Sequence, residues 1–505
     1  MGNHATQEKQ TLFNSWKYPN RYITLALYFL MSVIGSTFYL GGCEMKSMLY
    51  KARTYEELTY NVDYIRIFTV GVTEYLDCDE RRDAIQNLFN IGNWSKFLCA
   101  LIVGVAVDLI GPKFTYTFAQ LVQFIFWILV VALPRNGKLL QTCFFFLGAT
   151  AEATVLPLTT IWRKFKRDRS LIIALTTCGV GLSNVFPLIL GKIFANYAIR
   201  EDRFYVVMVV YTVLTNLVCL VLGALFVRNT LPGDKRSKAG RPVVRFGDVQ
   251  IIKISYLSDE FEDDQEEDEF VEEEGEDESM SIDTKNYYLR KNQSSLSLES
   301  AKVDKMKLRW VRIKDFLKSR KLLELIIFVV SMGLVLDSME FFNRIKKVIL
   351  SPKGENVSSF VRYFQYLRFI PAPFVGIIID RFGPEALNFF TYFCMFMCLS
   401  LAAIDSYGAK VASIVFYYLA YSSGIPGIYS KIVYRFSNMY GTFCGLVFCF
   451  TGILALCKIR VYKILLGEPD RFTQYVKNTS LQLYIMGICI ALIISILSHN
   501  ITKEN

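Results

Sequence analysis

About twelve apolar runs, each near the length that crosses a bilayer, constrain this chain more than any other feature. A helix spanning about 30 Å of hydrocarbon needs roughly 20 mainly apolar residues. Residues 22–42, 84–107, 115–133, 139–161, 170–195 and 204–227 meet that length in the first half of the chain, and 322–342, 360–379, 387–404, 411–432, 439–456 and 481–497 in the second. With 505 residues, 53% of them hydrophobic, and a mean hydropathy of +0.32, the chain is too apolar for a soluble protein of this size. The expected fold is an all-α multi-pass membrane protein with the lipid bilayer as its solvent. Twelve transmembrane helices would fall into two six-helix halves.

A ten-residue pattern ties the halves together. Gly104-Val-Ala-Val-Asp108-Leu-Ile-Gly111-Pro112-Lys113 joins the second and third runs, and Gly376-Ile-Ile-Ile-Asp380-Arg381-Phe-Gly383-Pro384-Glu385 joins the eighth and ninth. Two copies in equivalent slots point to halves related by pseudo-symmetry, as in transporters built from repeats. The expected organisation is a cytoplasmic tail 1–21, a first half 22–228, a linker 229–320, a second half 321–498 and a short tail 499–505. The first apolar run lacks a small-residue cleavage site, so it reads as a retained anchor.

The net charge of +10 hides two opposed blocks. Residues 259–278 are almost wholly acidic and cannot bury enough surface to offset chain entropy, which predicts disorder. Residues 302–321 are basic, with Met306, Trp310, Ile313 and Leu317 at helical spacing, as in a helix lying on an anionic leaflet. Such a helix either braces the linker or regulates the protein. The start, Met1-Gly2-Asn3-His4-Ala5-Thr6, fits an N-myristoylation pattern, and a plain tail is the other reading. Cys43 and Cys78 bracket the long polar loop after the first run; a disulfide and two unpaired thiols are both open.

Loop charge sets orientation in the first half. Arg163-Lys164-Phe165-Lys166-Arg167-Asp168-Arg169 and the N-terminal Lys9, Lys17 and Arg21 place those segments, the linker and both termini in the cytoplasm. The second half breaks the rule, since its expected outer loops carry Arg344, Lys346, Lys347 and Lys353, and later Lys458, Arg460, Lys463, Arg471 and Lys477. The repeat, which puts Asp108 and Asp380 on one side, keeps the orientation. Sequons at Asn356 and Asn478 then face outward, and the plasma membrane is the expected location.

From its paired turns the sequence resembles the major facilitator superfamily, whose members carry G-x-x-x-D-x-x-G-[RK]-[RK] in these two slots. The chain departs at Pro112-Lys113 and Pro384-Glu385, and at Leu109, where the second copy keeps Arg381. The Gly-Pro turn, the long loop with Cys43 and Cys78, and the charged linker are similar to the system-L-like amino-acid transporters. Within them the chain is most similar to the apicomplexan branch, the novel putative transporter or apicomplexan amino-acid transporter family. That resemblance implies uptake of an amino acid, cationic ones such as arginine or lysine first, by alternating access. It also implies a gate made of Gly104, Asp108, Gly111, Gly376, Asp380, Arg381 and Gly383. Asp108 would meet the start of the eleventh helix near Asn438, and Asp380 the start of the fifth near Ser170. The alternative is that both carboxylates are plain turn caps.

Ionisable groups in hydrocarbon cost free energy and therefore mark cavities or partners. Glu152 stands alone on the fourth run among Gly148, Ala149, Ala151 and Ala153; Asp337 and Glu340 lie on the seventh, Arg362 and Arg368 on the eighth, and Lys96 on the second. Superfamily architecture would bring Glu152 and Asp337 to a central cavity from opposite halves, Glu152 facing a substrate cation and Arg368 a carboxylate. A Glu152–Arg368 pair is the competing reading. Small and polar clusters that thin helices add Ser36 and Thr37, Asn184, and Tyr421 and Ser422 as candidate substrate contacts.

No cofactor or metal is implied: there is no phosphate-binding glycine loop and no nucleophile elbow, and the histidines His4 and His499 sit in the tails. An enzyme is not expected. Nucleic acid is not an expected partner either, because the basic residues lie at membrane edges. The rivals are the same fold carrying a nucleobase, nucleoside or sugar, and a membrane nutrient sensor that transports nothing.

Overall fold

A computed structural model describes residues 21–36, 43–60, 66–70, 73–165, 168–183, 185–186, 189–190, 201–228, 320–349, 370–404, 406–466, 482–493 and 495–496. Contacts divide the chain into two units, Met1–Lys235 with Glu324–Asn505, and Arg236–Leu323. The first unit holds both halves. The second is described only from Arg320, so the acidic run and the basic segment before Arg320 lie outside the described residues, as do Gly2 and both sequons.

The first half is built from α1 (Arg21–Gly35), a loop segment with α2 (Cys43–Lys51), α3 (Asp79–Leu109), α4 (Pro112–Ala132), α5 (Gly137–Ala149) and a bent continuation, α6 (Glu152–Lys164). It continues through α7 (Arg169–Ser183), then α8 (Glu201–Thr212) and α9 (Val218–Phe226), joined by a π turn at Val213–Leu217. The second half has α10 (Arg320–Ile349), α11 (Pro371–Ala403), α12 (Tyr407–Phe436), α13 (Tyr440–Leu466) and α14 (Gln482–Ile493). Among the described residues, 6 helices are long and apolar enough to cross a membrane, or 7 if the bent α5–α6 pair is one span.

The fourth run, long enough from its sequence for one span, is not a single continuous helix. It breaks between Ala149 and Glu152 with a 44° bend. Pro157 supplies a reason, since it lacks the N–H that would close a helical bond to Ala153. Below the bend the backbone tightens into 3-10 turns at Glu152–Thr154 and Thr160–Lys164.

Both repeated turns use glycine where another residue would be strained. Gly111 has φ 113° and Gly383 φ 85°, and the following prolines open the next helix with φ already set. At Gly383 (φ 85°, ψ 163°) the backbone leaves helical geometry, so α11 is two helical stretches meeting at a kink, the eighth run before it and the ninth after it.

At the opposite end of α3 the loop segment folds into a cap. Strands β1 (Arg66–Val70) and β2 (Thr73–Asp77) pair antiparallel with Arg66 opposite Asp77, and Met45, Met48, Leu49 and Tyr55 bury against Ile85, Phe89, Trp127 and Phe144. Arg81, fully buried, pins the cap: its Nε donates to Thr54 O at 2.9 Å and its guanidinium lies 4.7 Å from the Tyr50 ring centroid. Tyr50 donates to Asp77 Oδ1 at 2.7 Å, and Arg82 pairs with Asp77 Oδ2 at 2.6 Å. Burial first, and then the Asp77 carboxylate, push the Tyr50 phenol up. Cys78 is a buried free thiol that accepts from Arg81 N and donates to Leu58 O, and burial raises its pKa; the Cys43 side chain lies outside the described residues.

Candidate substrate site and gate

Glu152 owes its position to the break in the fourth run. The carboxylate sits on the first residue of α6, where the chain has left the α5 axis, and is 5% exposed. Lys96, halfway along α3, places Nζ 3.2 Å from Glu152 Oε1, and Tyr429 on α12 donates its hydroxyl to Oε2 at 3.1 Å. A buried carboxylate is tolerable when it is paired and hydrogen-bonded, and here both conditions are met. The Tyr429 ring is held by Tyr440 and Phe448, whose centroids lie 6.2 and 5.9 Å away.

These groups line a cavity between the halves. The first half contributes Lys96, Glu152, Val155, Thr177 and Cys178; the second contributes Tyr421, Ser422, Ile425, Pro426, Tyr429 and Phe448. Its wall is largely apolar, with a few convergent polar groups, as in sites that bind small solutes.

Tyr421 and Ser422, both expected from sequence, line the cavity, and the Ser422 hydroxyl donates to Tyr418 O at 2.8 Å. Asp337, expected to face Glu152 from the other half, is buried on α10 but does not line this cavity. Ser36 also stays away: it is buried at the end of α1 and donates to Ser32 O. Thr37, Asn184 and Arg368 lie outside the described residues. Among the described residues, the partners of Glu152 are Lys96 and Tyr429.

The carboxylates of the two repeated turns form two matching contacts between the halves. Asp108, one residue before the end of α3, accepts from Gly441 N at 3.0 Å, from Thr442 N at 2.7 Å and from Thr442 Oγ1 at 2.8 Å, all at the start of α13. Asp380 on α11 accepts from Ser170 N and Leu171 N, each at 3.0 Å, at the start of α7, and from the Tyr434 hydroxyl at 3.1 Å. Each carboxylate satisfies free backbone N–H groups at a helix start and lies at the positive end of its dipole. Arg381 is exposed.

Glycine lets the helices come this close. A methyl added at Gly104 would overlap the Gly441 carbonyl, one at Gly445 would overlap Ala100 O, and one at Gly376 would lie 2.6 Å from Leu171 Cα. Gly441 and Gly445 form a small-xxx-small face on α13, a signal for tight membrane-helix packing. That face, Lys96 as the partner of Glu152, and Tyr429 are the site features that sequence reasoning missed. The first was visible as spacing. The other two join residues far apart in the chain, and no local pattern links them.

Comparison with known proteins agrees with this architecture. The family model for the Major Facilitator Superfamily matches residues 69–456. Arginine transporter 1 of Toxoplasma gondii is 27% identical over 224 residues, 44% of this chain and 40% of that protein. Amino acid transporter 6-1 of the same organism is 24% identical over 183 residues, 36% of this chain and 32% of its relative. The chain thus spans less than half the length of these two relatives. Cationic amino acid transporter 8 of Plasmodium berghei is 20% identical over 450 residues, 88% of this chain and 82% of the other. Among solved structures, the proton:xylose symporter XylE superposes with a TM-score of 0.59 at 9% identity, covering 96% of each chain. The human organic anion transporter MFSD10 gives 0.54 at 12% identity, covering 94% of this chain and 100% of that one.

Proposed function

The chain belongs to the major facilitator superfamily, a multi-pass membrane family, and from that premise we propose that it carries amino acids, cationic ones such as arginine or lysine, by alternating access. The observation that carries the substrate class is the buried Glu152 carboxylate facing a cavity between the halves. An acidic group there recognises an ammonium or guanidinium, and Lys96 beside it is the matching partner for a carboxylate. The names of the apicomplexan relatives point to the same class.

Asp108 and Asp380 act as latches in this reading. Their contacts hold the halves together at one end and must break when that end opens, which biases a two-state equilibrium without touching substrate. A cationic substrate needs no coupled ion, because an inside-negative potential contributes about 2.3 kcal/mol per charge per 100 mV. Facilitated uptake at the plasma membrane, with both termini cytoplasmic, is sufficient.

The test is labelled uptake of arginine, lysine, leucine and adenine in a heterologous membrane with surface expression confirmed. Arginine or lysine uptake, lost in Glu152→Gln, is expected. Adenine uptake that survives Glu152→Gln favours a nucleobase carrier. No uptake of any of the four removes the amino-acid reading.

A further inference from the structure

Lys96 and Glu152 together carry one positive and one negative charge, the same two charges that an amino acid carries. Nζ lies 3.2 Å from Oε1, and the two side chains are 16% and 7% exposed. Both sit in the first half, on α3 and α6, so the pair travels together when the halves move. Tyr429 donates from the second half, so its bond to Glu152 does not have to survive that motion. Lys96 is also held in place: its Nζ lies 5.6 Å from the Phe97 ring centroid, and Phe97 packs against Phe448 of α13 at 6.4 Å.

A carrier that returns without cargo must carry an empty site through its closed state. A lone buried carboxylate opposes that step, because an unpaired charge loses its solvation and gains nothing. We propose that Lys96 is a tethered stand-in for the cationic group of the substrate: it neutralises Glu152 in the empty carrier and so lets the empty carrier return. When the substrate's ammonium or guanidinium takes Glu152, the displaced Lys96 ammonium takes the substrate's carboxylate. The inference rests on the amino-acid reading of the cavity and adds two things to it. Net uptake, as distinct from exchange, depends on Lys96, and the preferred ligand carries both charges.

Two readouts on the full-length chain in vesicles separate this inference from the reading beneath it. The first needs no substrate. Cys178 lines the cavity, so its labelling by a membrane-impermeant maleimide, located by mass spectrometry, reports which side the cavity opens to. Wild type is expected to label from both sides. In Lys96→Met, labelling from one side should fall about tenfold, and Lys96→Arg should restore it. Equal labelling of wild type and Lys96→Met overturns the proposal, whether or not arginine proves to be a substrate.

The second compares labelled arginine uptake into empty and arginine-preloaded vesicles at saturating substrate. Lys96→Met should lose net uptake about tenfold or more and keep exchange within about threefold. Its KM should rise for arginine but not for agmatine, which lacks the carboxylate. Parallel loss of net uptake and exchange means that Lys96 is structural and overturns the proposal. Failure of wild type to carry any amino acid overturns the functional reading alone, and the labelling result still decides the role of Lys96.

Discussion

The Tyr429 hydroxyl donates to Glu152 Oε2 across 3.1 Å, from α12 in one half to α6 in the other. The carboxylate that faces the cavity is therefore also a fastening between the halves. Under the proposed function, a substrate cation that claims Glu152 would compete with this bond, and occupancy and closure would draw on the same carboxylate. Tyr429→Phe keeps the ring contacts to Tyr440 and Phe448 and removes only the bond. A hydrogen bond to a charged group contributes about 1.5–3 kcal/mol, so separation of the halves should become about tenfold or more easier. Faster maleimide labelling of Cys178 checks it, and an unchanged rate counts against the coupling.

The two latches make a second prediction. Asp108→Asn keeps the volume and removes the charge that three donors from Gly441 and Thr442 converge on. The halves should separate more readily at that end by about 1–3 kcal/mol, raising access to the buried Cys444 thiol nearby. Asp380→Asn should act in the same direction through Ser170 and Leu171. A double-mutant cycle of Asp108→Asn with Thr442→Val should give a coupling of about 1 kcal/mol, and additivity would mean that the hydroxyl contact contributes nothing.

Packing supplies a third. Gly441→Ala introduces a methyl 3.1 Å from Asp108 Oδ1 and closer still to Gly104 O. Overpacking of this kind costs about 1–3 kcal/mol, and here the cost falls only on the closed seam. Uptake should fall while surface expression persists. Gly408→Ala, where nothing lies within 4 Å, serves as the control and should leave both unchanged.

The cap carries a pH prediction. Tyr50 and Cys78 have folded pKa values raised above their ordinary 10.0 and 9.0, chiefly by burial. A raised acid pKa means that the folded state holds its proton more tightly. Its contribution is therefore complete below the ordinary value and is lost as pH rises through the folded one. The protection factors of the amides in the strands Arg66–Val70 and Thr73–Asp77, that is, exchange corrected for its intrinsic base catalysis, should be flat from about pH 6 to 8 and fall above about 9 to 10. Tyr50→Phe should weaken the alkaline step.

Much of the architecture was legible because it is local. A run of apolar residues announces a membrane helix by itself, and Gly111 and Gly383 announce turns because only glycine adopts their φ without strain. The carboxylates Asp108 and Asp380 could be placed because the repeat gives each an equivalent slot. The bend at Glu152 was less visible, since Gly148, Ala149 and Ala151 are helix-tolerant and Pro157 lies a turn and a half downstream. The Lys96–Glu152 pair was not legible at all. Each residue was visible as a charge in an apolar run, but their meeting is decided by how α3 packs against α6. The cap hairpin carries only a short local signal, the β-branched and aromatic residues of Arg66–Val70 and Thr73–Asp77, interrupted by the charges of Arg66, Glu74 and Asp77.

The glycine seam has a directional consequence for how this protein can change over time. At Gly104, Gly376, Gly441 and Gly445 the neighbouring helix is already in contact, so no substitution can shorten the gap and every one must widen it. Drift at these positions is a ratchet: it can loosen the latch end of the carrier and never tighten it. A gain in closure has to be built somewhere else, in the carboxylate contacts or in the residues around Tyr429.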